Sequence, residues 1–138
     1  MPKSLLDFNM DDVPDPIVVP PKEEYQLKII KATEKPGKKD PTRTVLHLMM
    51  KIEGEPNAKT VMESIAYSKE DDPEENALIM DRSLKNFMLG FGINKKHLDK
   101  DAAGEFHGFK GLTGWAILDV DTYEGEQRNK VSRYIEPK

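Results

Sequence analysis

The residues best suited to catalysis are few and poorly placed for it. Ser4, Ser64, Ser68, Ser83 and Ser132 lie outside any strand–turn–helix context that would expose a nucleophile. His47, His97 and His107 lack the spacing of metal ligands or of a triad. Gly90-Phe91-Gly92 reads as a helix stop, not as a loop that cradles phosphate. Asp119 and Asp121 alternate along a strand, where carboxylates ordinarily face solvent. The chain has no cysteine, so it has neither thiolate metal ligands nor a disulfide framework. No cofactor and no metal are expected, and an enzyme is not the reading the residues favour.

Cations offer a better starting point. The net charge of −4 argues at first against a polyanionic partner. Its distribution alters that argument. Residues 1–24 carry Asp7, Asp11, Asp12, Asp15, Glu23 and Glu24 against only Lys3 and Lys22, and so hold the whole excess. The stretch from 28 to 51 carries Lys28, Lys31, Lys35, Lys38, Lys39, Arg43 and Lys51 against Glu34 and Asp40. A local cluster of this kind sets the field that a phosphate backbone meets. A protein that holds single strands needs such cations, together with flat side chains on which bases stack. Tyr67, Trp115, Tyr123 and Tyr134 are the aromatic candidates, and Phe87 and Phe91 belong to a helix stripe.

The elements that must position these groups are legible in the periodicity. YQLKIIKAT alternates at first, with Leu27 and Ile29 on one face; the doubled Ile29-Ile30 and then Lys31 break the alternation and predict a bulge. After the turn-forming EKPGKKDPT comes RTVLHLMMKIE, with Leu46, Leu48, Met50 and Ile52 on one face and Val45, His47, Met49 and Lys51 on the other. GEPNAK leads to a third strand, TVMESIAYS. The period then changes. Asp72-Pro73-Glu74-Glu75 predicts a helix start with Asp72 as cap, and Ala77, Met80, Leu84, Phe87, Met88 and Phe91 form an apolar stripe. Residues 94–110 read as a loop with a short helical turn near Lys95–Lys100. LTGWAILDVDTY and RNKVSRYIEP close the chain as strands around Glu124-Gly125-Glu126.

The order is strand, strand, strand, helix, strand, strand. The expected class is all-β with one helix, a five-stranded OB barrel with the helix between strands 3 and 4. Residues 1–24 are expected to form an acidic, Pro-rich tail, in which Leu5, Leu6 and Phe8, and then Ile17, Val18 and Val19, can dock as an extended edge, and residues 25–138 the domain. In such a barrel the loops joining strands 1–2 and 4–5 flank the ligand. The predicted nucleic-acid contacts are therefore Lys28, Lys35, Lys38, Lys39, Arg43, His47, Met49, Lys51, Tyr67, Lys69, Trp115, Tyr123, Arg128, Lys130 and Arg133.

With these segments placed, the chain resembles a family of small phage-encoded OB-fold single-stranded DNA-binding proteins. The likeness covers residues 20–136. It rests on YQLKIIKATEK, VLHLMMKIEGEP, NALIMDRSLKNFMLGFGI and above all on the closing GLTGWAILDVDTYEGEQRNKVSRYIEP, with its Tyr-x-Gly and Asn-x-Val. The resemblance implies sequence-nonspecific coating of single-stranded DNA during replication or recombination, with partner enzymes of those processes, in the cytoplasm of a host cell. The chain departs from many strand-coating proteins in its C-terminus, VSRYIEPK, which is mildly basic; its acid lies at the front. The competing expectation is a protein-interaction or assembly module, with the Val45/Met49 face and the Pro-rich tail forming a subunit interface, as in a homodimer. No apolar run reaches the ~20 residues of a membrane span, and the acidic opening does not suit a secretion signal.

Overall fold

A computed structural model describes residue 6 and residues 9–137. Five antiparallel strands follow the expected order: β1 (Glu23–Pro36), β2 (Thr44–Ile52), β3 (Val61–Ala66), then helix α1 (Glu74–Phe91), β4 (Thr113–Tyr123) and β5 (Glu126–Ile135). They form one sheet in the order β3-β2-β1-β4-β5, with the long β1 at its centre. Alternation decides which side is buried. Leu27, Ile29 and Ala32 of β1, Leu46, Leu48, Met50 and Ile52 of β2, Val61 and Ile65 of β3, and Ala116 and Leu118 of β4 all face the core. The predicted bulge is present: the β1–β2 register shifts between Ile29 and Lys31, leaving Ile30 and Lys31 exposed before Ala32 turns inward.

Helix α1 lies against β3, β4 and β5 and buries Phe87 and Phe91, with Leu84 and Met88 packed beside them. Two details of the helix differ from the sequence reading. Asp72 does not cap it; Pro73 stands at the cap position with no side-chain bond, and the Asp72 carboxylate is drawn to Arg43. Gly92, with a φ of 65°, is the left-handed stop, whereas Gly90 lies inside the helix. A Cβ on Gly114 of β4 would come within 2.6 Å of the Gly90 carbonyl oxygen, so the bare Gly114 lets helix and strand touch backbone to backbone, while a Cβ on Gly90 would meet the Tyr134 Cβ of β5 at 3.3 Å. The loop after α1 contains 3₁₀ turns at Lys95–His97 and His107–Phe109, and it delivers Phe106 and Phe109 to the core.

Closure into a barrel is not achieved. Among the described residues β3 and β5 share no ladder. β3 is only six residues long. At the seam, the Glu63 carboxylate accepts the Val131 N–H at 2.8 Å, a donor that a closed ladder would pair with a β3 carbonyl. The expected barrel is thus an open, five-stranded sheet whose two edges approach each other.

The Pro-rich lead is anchored to this body. Val19 is in the core, and Asn129, itself 2% exposed, binds it on both sides: its Oδ1 accepts Val19 N–H at 2.9 Å and its Nδ2 donates to Val19 O at 3.0 Å. Ile17 bridges to Ala58 in parallel fashion and exchanges main-chain bonds with Asn57 and Lys59. Ile17 and Val19 therefore dock as the apolar pattern predicts, whereas Leu6 is exposed and does not; Leu5 and Phe8 lie outside the described residues, and β1 begins at Glu23.

Candidate nucleic-acid interface

The outer face of β1 and β2 gathers part of the predicted set. Antiparallel pairing puts Lys28 directly opposite Lys51, Lys31 opposite Met49, Thr33 opposite His47 and Lys35 opposite Val45. β3 continues the rows, with Met62 opposite Met49 and Ser64 opposite His47. The His47 Nδ1 and Ser64 Oγ lie 3.0 Å apart. On the other flank Lys28 pairs with Thr113 and Gln26 with Trp115, so Trp115 sits diagonally from Lys28. Ile117, two residues along the same face of β4, pairs with Arg133. Trp115, with half its surface exposed (49%), therefore has Lys28 and Glu24 diagonally across on β1 and Arg133 diagonally across on β5. Ile30 and Met62 are exposed on the same side of the sheet.

Charge on this face is largely uncompensated. Among the described residues Lys28, Lys35, Lys38, Lys39 and Arg133 have no carboxylate within 4.0 Å. Lys31 and Lys51 reach Glu105 and Glu53 only at 3.9 and 4.0 Å. Like charges directly opposite each other on neighbouring strands destabilise a sheet, so the Lys28–Lys51 pair has a cost in the unliganded protein. From Lys28 to Lys35 the strip runs roughly 23 Å at ~3.3 Å per residue. Lys38 and Lys39 prolong it, exposed in the β1–β2 loop.

Three predicted contacts are engaged elsewhere. Arg43 grips Asp72 through Nη1 at 2.8 Å and Nη2 at 2.6 Å, and donates to the Tyr67 carbonyl at 2.8 Å. Lys69 binds Asp40 at 2.6 Å. The Tyr67 hydroxyl donates to Glu34 at 2.7 Å, and burial pushes that phenol up from its ordinary range, as does Glu34. These groups brace the fold rather than line the strip. A further set lies at the far tip of the β4–β5 hairpin. Arg128 stacks over Tyr123 at 4.5 Å and binds Asp121 at 2.9 Å, and Lys130 approaches Asp121 at 3.9 Å. Tyr123 is exposed, but its cations are shared with a carboxylate. Tyr134 is packed edge-on against Phe87 and Phe91 and offers no stacking surface.

Comparison with protein-family models and with curated proteins finds no match to this chain. Its reading therefore rests on the geometry of the face itself. Lys31, Ile30 and Met62 belong to that face although the pattern of residue types did not single them out as contacts. The signal for the first two was the bulge, which turns both outward. Among the described residues no group of three or more His, Asp or Glu side chains converges as a metal site, and no helix is long and apolar enough to cross a membrane.

Proposed function

We propose that this protein binds single-stranded DNA without reading its sequence, along the outer face of β1 and β2. The observation that carries this reading is the Lys28–Lys51 pair, set in a row with Lys31, Lys35, Lys38 and Lys39 and beside half-buried Met49 and exposed Met62, Ile30 and Trp115. A polyanion relieves the repulsion that the free face carries, and the bases then lie on apolar side chains and on one indole. The resemblance of the closing segment to phage-encoded strand-coating proteins supports the same reading, and with it a role in phage DNA replication or recombination inside the host cell.

The rival is a homodimer interface on the same face, for which Met49 and Met62 speak. A two-fold axis over that surface would bring two Lys28–Lys51 pairs together, and this favours the nucleic-acid reading. A gel-shift comparison of single-stranded DNA, duplex DNA and single-stranded RNA, with sedimentation of the free protein, separates the two. Retardation of the single strand by a monomer supports the proposal. A stable dimer that retards none of the three overturns it.

A further inference from the structure

The loop between β1 and β2, residues 37–43, presents Lys38 and Lys39, and its base is unusually well tied. The Gly37 N–H donates to Arg43 O at 2.8 Å and the Arg43 N–H to Asp40 O at 3.1 Å, closing the turn. Side chains then fasten this turn to the segment that precedes α1. Arg43 holds the Asp72 carboxylate with both terminal nitrogens, and the same carboxylate accepts the Lys69 N–H at 2.7 Å. The Lys69 ammonium returns to the loop, binding Asp40 at 2.6 Å and Thr42 Oγ1 at 2.8 Å. Arg43 completes the circuit at 4.0 Å from Asp40. Two cations and two anions thus alternate in a closed ring with no net charge. The bond from Arg43 holds the Asp72 carboxyl well below the usual carboxylate range, and the bond from Lys69 brings Asp40 down to about 2.

We propose that Asp72, Lys69 and Asp40 are positioning residues for strand binding: their ring with Arg43 fixes the β1–β2 loop so that Lys38 and Lys39 stand at the end of the cationic strip before the strand arrives. This inference rests on the single-strand reading of the face. Its physical content is preorganisation: a lysine pair already ordered loses less freedom when it meets phosphate. It also makes a prediction whose sign is opposite to simple electrostatics. Removing an acid from beneath a cationic loop should strengthen attraction for a polyanion. If the ring works as a brace, removing Asp72 or Asp40 weakens binding instead.

The test uses Asp72→Asn and Asp40→Asn, each alone and in a Lys38→Gln/Lys39→Gln background. Asp40 is the safer of the two for folding, because it lies on the exposed loop and touches no helix residue. Fluorescence anisotropy with a labelled oligo-dT measures binding, and trypsin cleavage after Lys38 and Lys39 measures loop order without DNA. Each single variant should bind about three- to tenfold more weakly, corresponding to one or two side chains that must be ordered on binding. Each should also be cut faster at the loop, and neither should lower affinity in the Lys38→Gln/Lys39→Gln background. Unchanged or tighter binding by both aspartate variants overturns the brace alone, as does an equal loss in both backgrounds. Failure of the unaltered protein to bind oligo-dT overturns the reading of the face and, with it, the use assigned to the brace.

Discussion

Reversing one charge of the Lys28–Lys51 pair should move stability and binding in opposite directions. Lys51→Glu replaces two like charges directly opposite each other on β1 and β2 with an attractive pair. Cross-strand pairs of this kind contribute roughly 0.2–1 kcal/mol. Removing one unfavourable pair and adding one favourable pair, less the exposed 4.0 Å contact between Lys51 and Glu53 that is lost, should therefore stabilise the fold by about 0.2–1 kcal/mol, or roughly 1–4 °C in Tm. Binding should respond the other way. If the six lysines of the strip and its loop each meet one phosphate, log K should fall with log salt at a slope of roughly −4, since each contact on a single strand contributes ~0.7. Affinity of the unaltered protein for oligo-dT would then drop about 300-fold between 50 and 200 mM salt. Lys51→Glu should flatten the slope by about 0.7–1.4 and lower affinity at 50 mM about tenfold or more. Calorimetry and an anisotropy titration at four salt concentrations read both quantities. A nearly flat slope for the unaltered protein refutes the phosphate contacts. A variant that gains stability while keeping its slope shows that the pair is not on the strand's path.

Other positions test the fold that carries this face. Asn129→Ala removes the side chain that holds Val19 and strands its buried main-chain groups; at ~1–3 kcal/mol for each orphaned group, about 2–4 kcal/mol should be lost in a urea melt. Gly114→Ala drives a methyl to within 2.6 Å of the Gly90 carbonyl oxygen, and overpacking of this kind should cost about 1–3 kcal/mol by the same assay. Burial raises the Glu63 carboxyl above its ordinary value, even though the Val131 N–H favours its ionised form. The folded state therefore binds this proton more tightly than the unfolded chain does. The stability it contributes is complete below the unfolded pKa and is lost as pH rises through the folded one. Glu63→Gln, whose Oε1 can still accept from Val131, should gain on the unaltered protein progressively from pH 4 to pH 7; a constant difference across that range would falsify the assignment.

How much of this could be read from residue types depends on the distance between partners. Strand faces, the bulge at Ile29–Ile30 and the single helix stripe are local patterns, and each is found where the spacing puts it. Arg43, Tyr67 and Lys69 were read as strand contacts because their partners were invisible: Asp72 lies 29 residues from Arg43, Glu34 lies 33 from Tyr67 and Asp40 lies 29 from Lys69. A lone cation in sequence cannot be told from one already paired. Gly90 reads as a helix stop for the same reason, since the residues that crowd it, Tyr134 and Ile135 of β5, lie on another element. Phe106 and Phe109 were absorbed into a loop, yet their spacing was a usable sign: two aromatic residues three apart can turn together into a core, and these rings stack at 4.9 Å. Barrel closure depended on a single seam, where the Glu63 side chain replaces a main-chain ladder. No periodicity reports on that choice.

The Glu63–Val131 bond means that no main-chain ladder fixes the circumference of the sheet. Where two strands share a ladder, drawing them apart breaks several main-chain bonds at once; here, among the described residues, one side-chain bond crosses from β3 to β5 and helix α1 packs against both. β1, which carries much of the cationic strip, is the strand furthest from that joint in the sheet order. If the face binds a flexible polymer as proposed, the curvature that the polymer meets at β1 is set by a side-chain bond and a helix rather than by a closing ladder.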